Sequence, residues 1–109
     1  MSTTFDDRKK GFETKFQKDQ ELQFKVNNRR NRLLGLWAAE QLGKTGEAAD
    51  AYAKEVVMAD FDKPGDEDVL EKVLKDLEAG GKATDAAHVR RQMTKLLDAA
   101  KEQVMNEAK

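Results

Sequence analysis

The chain has 109 residues and no cysteine, which allows one modest core and excludes disulfides, thiolate metal sites and cysteine nucleophiles. Charged residues make up 38% of it, and their mixture with Ala and Leu favours helices over strands. The formal net charge of −1 conceals net charges of +4 over residues 1–34, −7 over residues 35–81 and +2 over residues 82–109, a mixture that argues against a general nucleic-acid binder.

Residues 1–19 are typical of a short helix with little core of its own. Thr4 is a candidate N-cap, and Asp6 and Asp7 suit the positive end of a helix dipole. A helix of about 15 residues that contains Gly11 is marginal in water. The sequence thus predicts a flexible, helix-capable arm that folds on contact with a partner.

Three of the five phenylalanines lie in this arm. On a helix, Phe5, Phe12 and Phe16 fall within about 40° of one another. Two interpretations follow: the rings fold back on the rest of the protein, or they anchor the arm as a helix in a groove of a partner.

Four longer helical segments follow, at about residues 20–42, 46–60, 66–79 and 85–106. Gly43, Pro64 and Gly80 mark the breaks between them, and Thr84 or Asp85 is the candidate N-cap of the last. Because the connections are short, we predict an all-α four-helix bundle of residues 20–109, preceded by the arm of residues 1–19.

Residues 29–42 join a basic half-helix to the only tryptophan. We expect Trp37 to anchor the core, on a stripe that includes Leu33 and Leu36. The polar residues 27–31 interrupt this stripe.

Arg29, Arg30 and Arg32 form a basic cluster with two interpretations. They are a solvated helix face, or they contact an anion or a nucleotide. No glycine-rich loop that would cradle phosphate accompanies them, so no cofactor is predicted and a nucleotide contact stays open.

The acidic turn of residues 60–71 shares part of its pattern with a calcium loop, since acidic residues and a glycine stand at relative positions 1, 3, 6 and 12. Pro64 replaces an oxygen ligand, however, and Glu67 replaces an apolar residue. We therefore expect an acidic helix-to-helix turn and no metal site.

Catalytic side chains are scarce. His88 is the only histidine and has Ala and Val as neighbours, and Ser2 is the only serine. No nucleophile with a poised base can be assembled from these residues, so we predict that the protein is not an enzyme.

Six sequence blocks occur in a specific order: TFDDR at residues 4–8, ETKF at 13–16, DQELQFK at 19–25, RRNRLLGLWAA at 29–39, LGKTG at 42–46 and FDKPGDEDV at 61–69. Together they resemble the zeta subunit family, small inhibitors of bacterial F-type ATP synthase. The likeness covers nearly the whole chain.

The resemblance implies a four-helix bundle with a mobile inhibitory arm. In the family, the arm enters the interface between a catalytic and a non-catalytic subunit, folds to a helix there and blocks rotation in the hydrolysis direction. The implied partners are the alpha, beta and gamma subunits of the catalytic sector, with no nucleic acid and no direct membrane insertion. The implied location is the cytoplasm, peripheral to the inner membrane through ATP synthase.

By position, the resemblance implies an inhibitory, partner-binding role for Thr4, Phe5, Asp6, Asp7, Arg8, Lys9, Phe12, Lys15, Phe16 and Asp19. The three rings would serve as apolar anchors, and the cations would meet acidic rims. The alternative function is a helical adaptor, or a nucleotide or ion sensor, without strong inhibitory activity.

Overall fold

A computed structural model gives the fold of the chain. It describes the backbone of residues 4–62 and 66–107, and the side chains of residues 9–60 and 66–107. This part of the chain forms five α-helices and no strand, which confirms the predicted all-α class. The helices are α1 (Thr4–Lys18), α2 (Gln20–Gln41), α3 (Gly46–Asp62), α4 (Asp66–Ala79) and α5 (Ala86–Glu107).

Both ends of α2 are set by local hydrogen bonds. Asp19, the single residue between α1 and α2, caps α2 by accepting a hydrogen bond from the Leu22 N–H at 3.2 Å. At the other end, Gly43 adopts a φ of 76°, which favours glycine, and the Lys44 N–H donates to the Ala39 carbonyl at 2.9 Å. The predicted break at Gly43 is therefore a Schellman-type cap.

The last helix has one side-chain cap. The carboxylate of Asp85 accepts a hydrogen bond from the His88 N–H at 2.8 Å, which decides between the two candidate caps. The hydroxyl of Thr84 is buried and has no hydrogen-bond partner among the described residues.

The main core lies between α2, α3, α4 and α5. Where α2 meets α3, a Cβ atom on Gly35 would lie only 2.6 Å from the Cα atom of Ala53. Small residues thus allow these two helices to pack closely. The buried side chains of this core are Leu34, Ala38, Ala39, Tyr52, Val56, Val69, Leu70, Val73, Leu77, Val89 and Met93.

One expectation about α2 is confirmed only in part, and another is wrong. Trp37 packs against the main core but is only partly buried, whereas Leu34 is completely buried. Arg30 and Asn31, assigned to a polar interruption, are 3% and 0% exposed. The reason is that α2 contacts all four other helices, so more than one of its faces is enclosed and a single apolar stripe does not mark every buried residue.

A second, smaller core cluster lies where α1 approaches α2 and α5. Its buried members are Val26, Ala100 and Val104. Partly buried side chains complete it, namely Phe12, Phe16, Leu22, Leu33 and Leu97. Among the helices of the described chain, none has the length and apolar content needed to cross a membrane.

Candidate partner-binding site on the N-terminal helix

The apolar face of α1 is turned towards the protein. Phe12 and Phe16 pack against the second core cluster, formed by Val26 of α2 with Ala100 and Val104 of α5. For these two rings, the structure shows the first of the two interpretations, in which they fold back on the chain. The side chain of Phe5 lies outside the described residues.

A few polar contacts add to this packing. The Lys101 ammonium group pairs with Glu13 at 3.4 Å and lies 4.6 Å from the centroid of the Phe16 ring. The Gln23 amide donates hydrogen bonds to the carbonyl oxygens of Phe16 at 2.8 Å and of Gln17 at 3.2 Å. Partly exposed contacts of this kind contribute about 0.5–1 kcal/mol each. Together these contacts hold α1 against α2 and α5, outside the main core.

The packing between α1 and α5 is incomplete. A cavity of about 270 Å³ remains there, lined by Lys9, Phe12, Glu13, Asp98, Lys101, Glu102 and Met105. Side chains that line an open pocket lack close contacts across it. The α1 helix is therefore only partly packed against α5.

The structure separates the predicted site residues by environment. Phe12 and Phe16 face the second core cluster, whereas Lys9 and Lys15 are exposed. Asp19 is engaged in capping α2. The other predicted members have side chains outside the described residues, and these are Thr4, Phe5, Asp6, Asp7 and Arg8.

The arginine cluster is not one surface. Arg29 pairs with Glu107 at 2.6 Å, and the buried Arg30 pairs with Asp66 at 2.7 Å. Arg32 is exposed. The solvated-face interpretation is wrong for Arg30, and a nucleotide contact by the cluster stays a prediction.

The acidic turn lies partly outside the described residues, which exclude residues 63–65. Within the described ranges, no group of three or more His, Cys, Asp and Glu side chains is placed to hold a metal ion. His88 is exposed, and its ring lies 5.7 Å from that of Trp37.

Two residues that hold α1 were not singled out from the sequence. Neither Lys101 nor Gln23 belongs to a predicted site. The partner of Lys101, Glu13, lies 88 positions earlier in the chain. Helical periodicity reports which residues share a face but not which distant side chains meet there, so no local signal identifies this contact.

The chain matches one protein-family model over nearly its whole length. The family model described as ATPase inhibitor subunit zeta matches residues 1–103. The chain belongs to this family. The matched region of the zeta family includes all of α1 and most of α5, so the candidate site lies inside it.

Comparison with solved structures supports the same fold. Three chains of known structure match significantly. One of them, a solution NMR structure of a protein, is 51% identical, with a TM-score of 0.70, and the match covers 79% of this chain and 98% of that one. No curated protein matches the chain significantly. Membership of the zeta family supports an inhibitory role.

Proposed function

We propose that this chain is an inhibitory, regulatory subunit of bacterial F-type ATP synthase, in which α1 inserts at a catalytic subunit interface and blocks ATP hydrolysis. In this proposal, α2–α5 form a four-helix bundle that positions the inhibitory helix. The observation that carries it is the family match, which begins at residue 1 and so includes α1.

The chemistry of α1 suits insertion into a groove. Its 15 residues extend about 22 Å, a length typical of helices that bind in protein grooves. Phe12 and Phe16 lie one turn apart on one face, and burying each ring in a partner contributes about 2 kcal/mol. Lys9 and Lys15 are exposed and suit acidic groups at the edges of the groove.

Insertion requires α1 to leave its position on α2 and α5. In the structure one side of Phe12 and of Phe16 packs against the second core cluster, so full burial of these rings in a partner requires their release. Asp19 is the junction at which the two helices would change their relative direction. The apparent affinity for the partner is then reduced in proportion to the fraction of molecules in which α1 is released.

The test is ATP hydrolysis by the F-type ATPase from the same source after its own inhibitor has been removed. The full chain is added as wild type, as the double variant F12A/F16A and as the control L97A. Leu97 belongs to the second core cluster but lies on α5, so L97A loosens the same cluster and leaves the α1 anchors intact.

We expect inhibition by the wild type and by L97A, and at least tenfold weaker inhibition by F12A/F16A because the partner loses two apolar anchors. Equal inhibition by all three proteins would show that the two rings do not bind the enzyme. No inhibition by the wild type would contradict the proposed function.

A further inference from the structure

A groove on the face formed by α2 and α3 has no part in the function proposed above. Two adjoining shallow pockets of about 450 Å³ and 360 Å³ form it, and both are lined by Arg32 of α2 and Val57 of α3. Met58 lines the first pocket and Phe24 the second. We call this continuous surface the α2–α3 groove.

The most exposed large apolar side chains of the described chain lie in this groove. Phe24 is 53% exposed and Met58 is 58% exposed, and they are the large apolar side chains that the described part of the chain leaves most exposed. Both line the groove, with the partly buried Val57 between the two pockets. Single exposed apolar residues are ordinary on a surface, but their concentration in one concave site is typical of a binding surface.

The rim of the groove is cationic. Four cations line it, namely Lys25, Arg29, Arg32 and Lys54, against the single lining carboxylate of Asp50. Arg29 is paired with Glu107, whereas the other three form no salt bridge with a carboxylate of the described chain. A basic rim on a chain of net charge −1 favours an acidic partner through charge complementarity.

The groove does not suit the chain's own inhibitory helix. Residues 4–18 contain five cationic and three acidic side chains, so the rim would repel them. The α1 helix also contacts the second core cluster, which does not include the residues of the groove.

We propose that the α2–α3 groove docks an acidic protein segment with an apolar side chain, carried by the catalytic sector of ATP synthase beside the cleft that takes α1. This inference rests on the proposed function. Phe24 follows Asp19 by five residues, or about 7.5 Å along α2, so the groove begins next to the point where α1 is attached. Insertion of α1 therefore brings the groove to the edge of the same binding site and adds a second contact to the same complex.

The experiment compares two full-length double variants with the same change of charge. R32E/K54E reverses two cations of the groove, whereas K75E/K95E reverses two exposed lysines of α4 and α5 that do not line it. Binding to immobilised catalytic sector is measured at low and at physiological salt, and circular dichroism checks that each variant is folded.

We expect R32E/K54E to weaken binding at least tenfold at low salt, with a smaller loss at higher salt because charges are screened. K75E/K95E should bind within threefold of wild type. Saturating concentrations of R32E/K54E should still inhibit hydrolysis, since α1 is unchanged. A chain with p-benzoylphenylalanine in place of Met58 should cross-link to a peptide of the sector that contains Asp or Glu.

If the two double variants bind with equal affinity and the wild type still inhibits, the docking role of the α2–α3 groove is overturned and the proposed function stays intact. A wild type that neither binds nor inhibits the sector would overturn both. Wild-type self-association that R32E/K54E abolishes, together with unchanged binding to the sector, would assign the groove to a second copy of the chain and so overturn the proposal.

Discussion

Lys101 of α5 lies over the ring of Phe16 of α1, with 4.6 Å between the ammonium nitrogen and the ring centroid. The same group pairs with Glu13 at 3.4 Å, and the Lys101 side chain is only 19% exposed. One cation thus contacts both an aromatic ring and a carboxylate of α1. The two contacts together contribute about 1 kcal/mol to the docked position.

Replacing this cation should release α1. We expect K101M, which keeps most of the hydrocarbon chain, to raise amide hydrogen exchange across residues 9–18 about fivefold, as a loss of about 1 kcal/mol predicts. Inhibition should become stronger by up to the same factor, because a larger fraction of molecules can bind the enzyme. K95M, on the exposed side of α5, is the control and should change neither quantity. Unchanged exchange in K101M would show that Lys101 does not hold α1.

The close approach of α2 and α3 at Gly35 predicts opposite effects of the same substitution at two glycines. G35A would place its Cβ atom 2.6 Å from the Cα atom of Ala53, so the helices must separate. We expect a loss of about 1–3 kcal/mol in the free energy of unfolding, measured with urea. G11A meets no atom within 4 Å and lies within α1, so it should increase helix content by circular dichroism. A stable G35A would contradict the observed helix spacing.

The buried, hydrogen-bonded phenol of Tyr52 should make the protein less stable at high pH. Burial raises the pKa of its phenol above the ordinary value of 10.0, and the hydrogen bond that the hydroxyl donates to Asp76 at 2.8 Å raises it further. Because the pKa is higher in the folded state, the contribution to stability is complete below pH 10 and is lost as the pH rises above it.

We expect the free energy of unfolding to fall by up to about 1.4 kcal/mol per pH unit above pH 10 from this residue alone. Y52F should have a shallower dependence on pH. Some dependence should remain: partial burial lowers the pKa of Lys72, but its hydrogen bonds to Asp76 and Glu55 and their negative charges together raise it above the ordinary value. Since Tyr52 is the only tyrosine, tyrosinate absorbance should appear together with unfolding. Tyrosinate formation in the folded protein would contradict this prediction.

Arg30 and Asp66 form a pair that joins α2 to the first residue of α4. Arg30 is 3% exposed, so D66N leaves a buried guanidinium group with a weaker partner. We expect a loss of about 1–3 kcal/mol in the free energy of unfolding.

The matched control is E67Q. Glu67 is the next residue of α4, but its salt bridge with Arg90 is exposed on both sides. The change should therefore cost less than about 0.5 kcal/mol, although it removes the same charge from the same helix turn. Equal losses in the two variants would show that the pair of the buried Arg30 contributes no more to the free energy of unfolding than the exposed pair of Glu67 and Arg90.

Local signals in the sequence were sufficient to predict the helical class. Mixed charges with Ala and Leu favour helices, and caps such as Gly43 and Asp85 act through hydrogen bonds between residues at most five positions apart. The motif order also predicted the family, which the match over residues 1–103 confirmed. The role of the individual arm residues stays a prediction.

The sequence alone therefore determined the helical class and the family, because each depends on neighbouring residues or on a linear pattern. Only the tertiary structure decided that Arg30 is buried, that Trp37 is only partly buried and that Phe16 lies under Lys101. The physical reason is that burial and pairing depend on side chains far away in the sequence. Their free energies are set by the packing of whole helices, which no local pattern records.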